Sequence, residues 1–307
     1  TGKITATINT NETVTELATL LADDGTNDLT ITIRVADATA ATAAQLNTIN
    51  AATALAVNLT NVTALAASAL ADVDTLAQKI TANEFSNGTG LTTVAISDGT
   101  IDATALATAI DRLDTANGGN TTDMTLATGA TINVDADEIT HMLLDETENR
   151  LDITDQNITV TNAISAANAK LLADTTSGIV TATIDTGARV SDLKLLPAEN
   201  NAFTIVINAL DQSSSTATEL NTIDAATTLA VNATNVTGLA SDDINDILTL
   251  LTAGNNEDKF TATSFSGLTS VVVADTTLDV DNLVNSIAQA NTATGKSTLA
   301  AGATVFS

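Results

Sequence analysis

Leu46 to Thr63 reads LNTINAATALAVNLTNVT, and Leu220 to Thr237 reads LNTIDAATTLAVNATNVT. The chain carries its own second copy, offset by about 174 residues, and a long internal period marks a repeat array before any other reading. Working outward, Ile101 to Leu106 (IDATAL) answers to Leu278 to Leu283 (LDVDNL), and Leu126 to Ile132 (LATGATI) to Leu299 to Val305 (LAAGATV). Backward, Ile4 to Ile8 (ITATI) matches Val180 to Ile184 (VTATI), and Asn27 to Ile33 (NDLTITI) matches Asn201 to Ile207 (NAFTIVI). The expected division is a first long unit over 1–176 and a second, incomplete one over 177–307. Because the pattern runs to both ends, the sequence is expected to be a segment of something longer.

Inside the long unit, Thr- and Val-rich stretches of period two alternate with Ala- and Leu-rich stretches of period 3.6, a strand followed by a helix each time. Ile4 to Ile8 is the first strand. Thr13 with Glu16 has the spacing of a capping box, and Leu17, Leu20 and Leu21 then share a helical face until Asp23-Asp24-Gly25 stops it. Leu29 to Val35 alternates as a strand. Helices are predicted over Thr42 to Ala52, with Leu46 and Ile49 inward, and over Ala67 to Ile80. A strand is predicted at Leu91 to Ile96, then a helix capped by Asp102 with Leu106, Ile110 and Leu113 on one face. Leu126 to Val134 and Leu151 to Val160 read as single strands, with helices near Ile139 to Leu143 and Ala163 to Ala173. The second copy repeats the scheme, its helix carrying Ile244, Ile247, Leu248 and Leu251.

Strands joined by helices pair in parallel, because antiparallel neighbours need only a short turn. The expected fold is an α/β repeat, a right-handed β/α solenoid of parallel strands each followed by a helix. About eleven strands at roughly 4.8 Å apiece would give a rod or shallow arc about 50 Å long, whose open ends invite continuation.

Composition narrows the functions. The chain is 44% hydrophobic, with five Phe and no Trp or Tyr, so its core is built from small branched side chains. A net charge of −27 repels nucleic acid and anionic membrane surfaces. No apolar run is long enough to span a bilayer, so no membrane insertion is expected. With no cysteine, disulfides, thiolate metal sites and thiol catalysis are absent together.

Aspartates recur after strands at matched places, Asp37 with Asp211 and Asp98 with Asp275, as do Asn58 and Asn61 with Asn232 and Asn235. Such side chains make turns and cap helices. The sharper alternative is calcium, which takes six to eight oxygens and would relieve the charge; Asp37, Asp98, Asp211 and Asp275 are its candidate ligands. Neither an EF-hand loop nor a glycine-rich calcium repeat is present. His141 stands alone and cannot form a multi-histidine site. Asp145, Glu146 and Glu148 offer the carboxylates of a glycosidase, but adjacent acids near a helix end read as solvated surface. The Asn-x-Thr triplets at Asn58, Asn61 and Asn157 satisfy the glycosylation pattern, which a chain this rich in Asn and Thr produces by chance.

Units of the type T-A-x-x-L-N-T-I-D-A-A-T-T followed by a Val/Asn/Thr strand stand at Thr42 to Thr53 and Thr216 to Thr228. In these the chain resembles the repeats of giant acidic exoproteins of aquatic bacteria, especially cyanobacteria, a style shared with Ala/Thr/Asp-rich surface-layer and filament proteins. The resemblance implies export, a cell-surface or matrix location and a structural role, and it carries over no catalytic residue. The leading expectation is an extracellular structural repeat protein, not an enzyme, that forms a filament, sheath or surface layer. Its partners would be copies of itself, further repeats of the same polypeptide, or cell-surface polysaccharide. An adhesin stalk or carbohydrate-binding module is the alternative, with a polysaccharide-degrading solenoid enzyme behind it. The absence of Tyr and Trp, the usual sugar-stacking side chains, weighs against both.

Overall fold

A computed structural model describes residues 2–20, 27–198, 200–294 and 305–307. It is a mixed α/β chain of alternating strands and helices in parallel sheets, and it divides into two compact units, Thr1–Gln156 and Asn157–Ser307.

The first unit runs β1 (Thr5–Thr7), α1 (Val14–Leu17), β2 (Asp28–Thr30), α2 (Ala43–Ala51), β3 (Val57–Asn58), β4 (Ala64–Ser68), α3 (Leu70–Thr81) and β5 (Phe85–Ser86). It continues with β6 (Thr93–Ile96), β7 (Thr100–Asp102), α4 (Ala103–Ala116), β8 (Asp123–Thr125), β9 (Thr131–Val134), α5 (Ile139–Thr147) and β10 (Leu151–Asp152). Strands β1 and β2 pair, β3 pairs with β5, β7 with β9, and β4, β6, β8 and β10 form a ladder, every pairing parallel.

The second unit runs β11 (Asn157–Val160), α6 (Ala166–Thr175), β12 (Val180–Thr183), α7 (Val190–Leu193), β13 (Ala202–Thr204) and α8 (Ala217–Ala225). After these come β14 (Gly238–Asp242), α9 (Ile244–Gly254), β15 (Ser270–Val273), α10 (Val280–Thr294) and β16 (Val305–Phe306). Here β11, β12 and β13 form one parallel ladder and β14, β15 and β16 another. β11 and α6, which repetition assigns to the first long unit, pack in the second compact one, so compactness and repetition divide the chain at different points.

Most elements follow their local signals. Thr13 and Glu16 form the capping box of α1, Asp102 caps α4 by accepting from the Ala105 amide, and Leu46 and Ile49 are fully buried on α2. Leu29, Ile31 and Ile33 alternate inward, as do Phe203, Ile205 and Ile207. After α3 the chain reverses through Asn83 at φ 62°, a left-handed conformation that asparagine tolerates better than other side chains.

Four expectations change. Ala67 and Ser68, expected to open α3, close strand β4 instead: Leu65 pairs with Val94 and Ser68 with Ile96, and this ladder overrides the helix propensity of the alanines. Of Leu126 to Val134 only Thr131–Val134 is strand, β9; the residues before it turn through Gly129, φ 69°, and β8 lies ahead of them at Asp123–Thr125. Leu151 to Val160 breaks at an Asx turn, where the Thr154 amide donates to Asp152 Oδ1, so two strands precede a helix in places where one was expected. On α9 Leu250 is buried beside Leu251, in place of Leu248. The expected stop at Asp23-Asp24-Gly25, Leu21, and the match at 299–304 lie outside the described residues.

Candidate functional site

A helix leaves its first amides without intrahelical partners and carries a partial positive charge there. The cap of α1 serves the Glu16 amide, which leaves the first one, Val14 N–H. That amide donates to Asp37 Oδ2 at 2.8 Å, from 23 residues further along. The same bond recurs three times. Val190 N–H, first in α7, donates to Asp211 Oδ2 at 2.9 Å; Leu70 N–H, first in α3, to Asp98 Oδ2 at 2.8 Å; Ile244 N–H, first in α9, to Asp275 Oδ2 at 2.8 Å. The four aspartates singled out for calcium therefore each hold the start of the preceding βα module's helix. They are not brought together, and among the described residues no group of three or more His, Asp or Glu gathers at metal-binding distance.

Asp37 and Asp211 are buried, and each has an arginine. Arg34 Nε donates to Asp37 Oδ2 at 2.8 Å, and Arg189 Nε to Asp211 at 2.9 Å. The Arg189 guanidinium, with the Val190 amide adding to it against burial, holds the Asp211 carboxyl below the usual carboxylate range. Asp98 and Asp275 accept the amide with no arginine paired to them among the described residues.

Other bonds, most of them across modules, repeat as closely. The buried Thr53 hydroxyl accepts from Leu29 N–H at 2.9 Å and donates to Leu29 C=O at 2.8 Å; Thr227 does the same with Phe203 at 2.9 and 2.8 Å. Asn61 Nδ2 donates to Ile33 C=O at 2.7 Å and Asn235 Nδ2 to Ile207 C=O at 2.8 Å. Asn58 and Asn232 accept from the amides of Thr60 and Thr234 in matching Asx turns. Asn47 and Asn221 donate to the carbonyls of Asp72 and Asp246. Sequence reasoning ranked Asn58 and Asn61 by position but passed over Thr53, Thr227, Asn47 and Asn221. Their identity in both copies was the available signal.

The stretch His141 to Arg150 has no second copy, and it builds a different cluster around Arg150. This arginine reaches Asp111 and Asp114 of α4, each at 3.3 Å, together with Asp145 of α5 and Glu148 just after it. Burial raises the Asp145 carboxyl, with Arg150 and then His141 opposing the shift. His141 Nε2 lies 3.9 Å from Asp145. Glu146 is raised by burial too and accepts the Ile153 amide at 2.7 Å. Beside the cluster a cavity of about 190 Å³ lies between α4 and α5, lined by Thr104, Asp111, Glu138, His141 and Met142 among others. Glu138 accepts from the Thr104 hydroxyl. The carboxylates offered for glycoside hydrolysis are thus engaged in an ion-pair hub and an amide bond. Arg150, not singled out from sequence, is what gathers them.

No known protein family, curated protein or solved structure matches the chain. Its chemistry rests on its own atoms, and what these bonds do is fasten one βα module to the next. No helix among the described residues is long and apolar enough to cross a membrane.

Proposed function

We propose that the chain is an extracellular structural repeat protein, a right-handed β/α solenoid segment that forms a filament, sheath or surface layer by end-to-end continuation. One observation carries this reading: the polar side chains repeated between the copies point at backbone groups of a neighbouring module, so what the repeat preserves is the joint between modules. A repeat whose recurrent chemistry is its own joint is suited to being extended. Helix α10 supports continuation. Val280 and Val284 on it are 71% and 57% exposed, whereas on the corresponding helix α4 Ala103, which answers to Val280, is buried, and Ala107, which answers to Val284, is half-buried. An unpartnered apolar face of this kind is relieved by another module.

In this reading Asp37, Asp98, Asp211 and Asp275 are spent on protein donors, and calcium adds screening rather than a site. Partners are further repeats or copies of the same chain, and the −27 charge keeps the assembly soluble and away from nucleic acid. Negative-stain electron microscopy across a concentration series tests the proposal. Thin fibres or sheets are expected, and Val284→Asp shortens or abolishes them. Isolated monomers at every concentration contradict it.

A further inference from the structure

The second unit has an apolar groove of about 700 Å³ between α6 and the segment leading through α7. The helix flanking it, α7, is a single turn, as its counterpart α1 is. Val190, Leu193 and Leu196 of this segment turn inward, and Leu195 is left 58% exposed. Opposite it on α6, Leu172 and Ala173 are buried while Leu171 is 50% exposed. The two leucines, with Ala167 and Ala188, make the apolar floor.

Comparison of the copies singles out one side of this groove, Leu195. Aligned on α1 and α7, Leu195 stands where the first copy has Thr19, which is also exposed. A threonine in one copy and an exposed leucine in the other thus stand at a position that needs no apolar side chain for folding.

Charge selects the occupant. Asp174, Asp185 and Asp192 line the groove with a single cation, Lys170, which is paired with Asp174. Asp185 and Asp192 are left without a basic side chain among the ion pairs of the described residues. A second copy of a −27 chain is repelled by such a rim, whereas a cationic segment is attracted and desolvates its leucines on the floor. We propose that this groove docks a short, basic, amphipathic helical segment of another protein, with apolar anchors at i, i+3 and i+4 on Leu171 and Leu195 and its Lys or Arg against Asp185 and Asp192.

The test uses a fluorescent Leu/Lys peptide of about 12 residues with helical spacing of its leucines, and a scrambled peptide of the same composition, in roughly 0.15 M salt. Fluorescence anisotropy is expected to show the patterned peptide binding about tenfold more tightly than the scrambled one. Leu195→Thr, which installs the first copy's residue, and the double variant Asp185→Asn/Asp192→Asn each weaken it about tenfold. The remote double variant Asp279→Asn/Asp281→Asn does not. The altered side chains are solvent-facing, so unchanged melting curves confirm that the variants are folded. No binding overturns the proposal. So does equal binding of the scrambled peptide or of Leu195→Thr, which marks general attraction to an acidic chain. Self-association that Leu195→Thr abolishes also overturns it, by giving the groove to a second copy.

Discussion

The two copies solve the same problems with different side chains. Behind the first clamp aspartate the guanidinium comes from Arg34, three residues earlier; behind the second it comes from Arg189, the N-cap residue of α7 in the preceding module. At the end of α2, Asn50 Nδ2 donates to the Glu84 carbonyl at 3.2 Å. At the matching end of α8 the asparagine has become Asp224 and the glutamate Lys259, and the two make an ion pair at 3.5 Å. Both changes occur together, because a carboxylate at 224 facing a glutamate at 259 would place two anions beside each other. The backbone joint is what stays fixed, and its side-chain means are exchangeable in matched sets.

The largest expected effect tests whether the copies are equivalent at all. Leu46 and Leu220 are both fully buried, so Leu46→Ala and Leu220→Ala should each cost about 2–5 kcal/mol and agree within about 1 kcal/mol, read from urea melts. A large cost at one site and none at the other breaks the comparison.

Next is the exchange at the helix ends. Asn50→Asp puts an unpaired carboxylate at a mostly buried position beside Glu84 and should cost about 1–3 kcal/mol. Adding Glu84→Lys should recover most of that, and a double-mutant cycle with no coupling would contradict the matched-set reading.

The pH dependence follows with opposite signs in one unit. Asp211 is held below its ordinary value of 3.8, chiefly by Arg189, so its contribution is present above that value and is lost as pH falls through the lowered folded pKa. Asp224 is raised above 3.8 by burial, with Lys259 opposing, so its folded form takes up a proton first and stability rises as pH falls between the raised and ordinary values. Asp211→Asn should therefore flatten the acid side of the melting-temperature profile, and Asp224→Asn should remove a gain just above it. Identical profiles for the two variants would show that the carboxyls are not distinguished by their partners.

The smallest effect is that of calcium. With the clamp carboxylates committed to amides, calcium and sodium at equal ionic strength should give equal melting temperatures, and a chelator should change nothing. A selective rise with calcium would return Asp37, Asp98, Asp211 and Asp275 to the ligand reading.

Local signals made much of the fold legible. The capping box at Thr13 and Glu16, the Asp102 cap and the inward leucines of α2 need only neighbours in sequence. The start of α3 was not legible at Ala67 and Ser68, which continue an Ala-rich stretch and join a strand only through pairing with β6. The clamps were half legible: repetition marked the four aspartates, but their partners lie 21 to 31 residues away and leave no periodic trace. Arg150 was silent for the same reason, since its carboxylates come from two helices and it has no second copy to mark it.

The central claim, that recurrent aspartates hold the first amide of the preceding module's helix, is tested most directly by site-resolved hydrogen exchange on Asp37→Ala, Asp98→Ala, Asp211→Ala and Asp275→Ala. Each variant is expected to lose protection at one distant amide, respectively Val14, Leu70, Val190 and Ile244, with little change at the amides next to the substitution. Unchanged protection at those four amides, or loss confined to the residues flanking each aspartate, would contradict it.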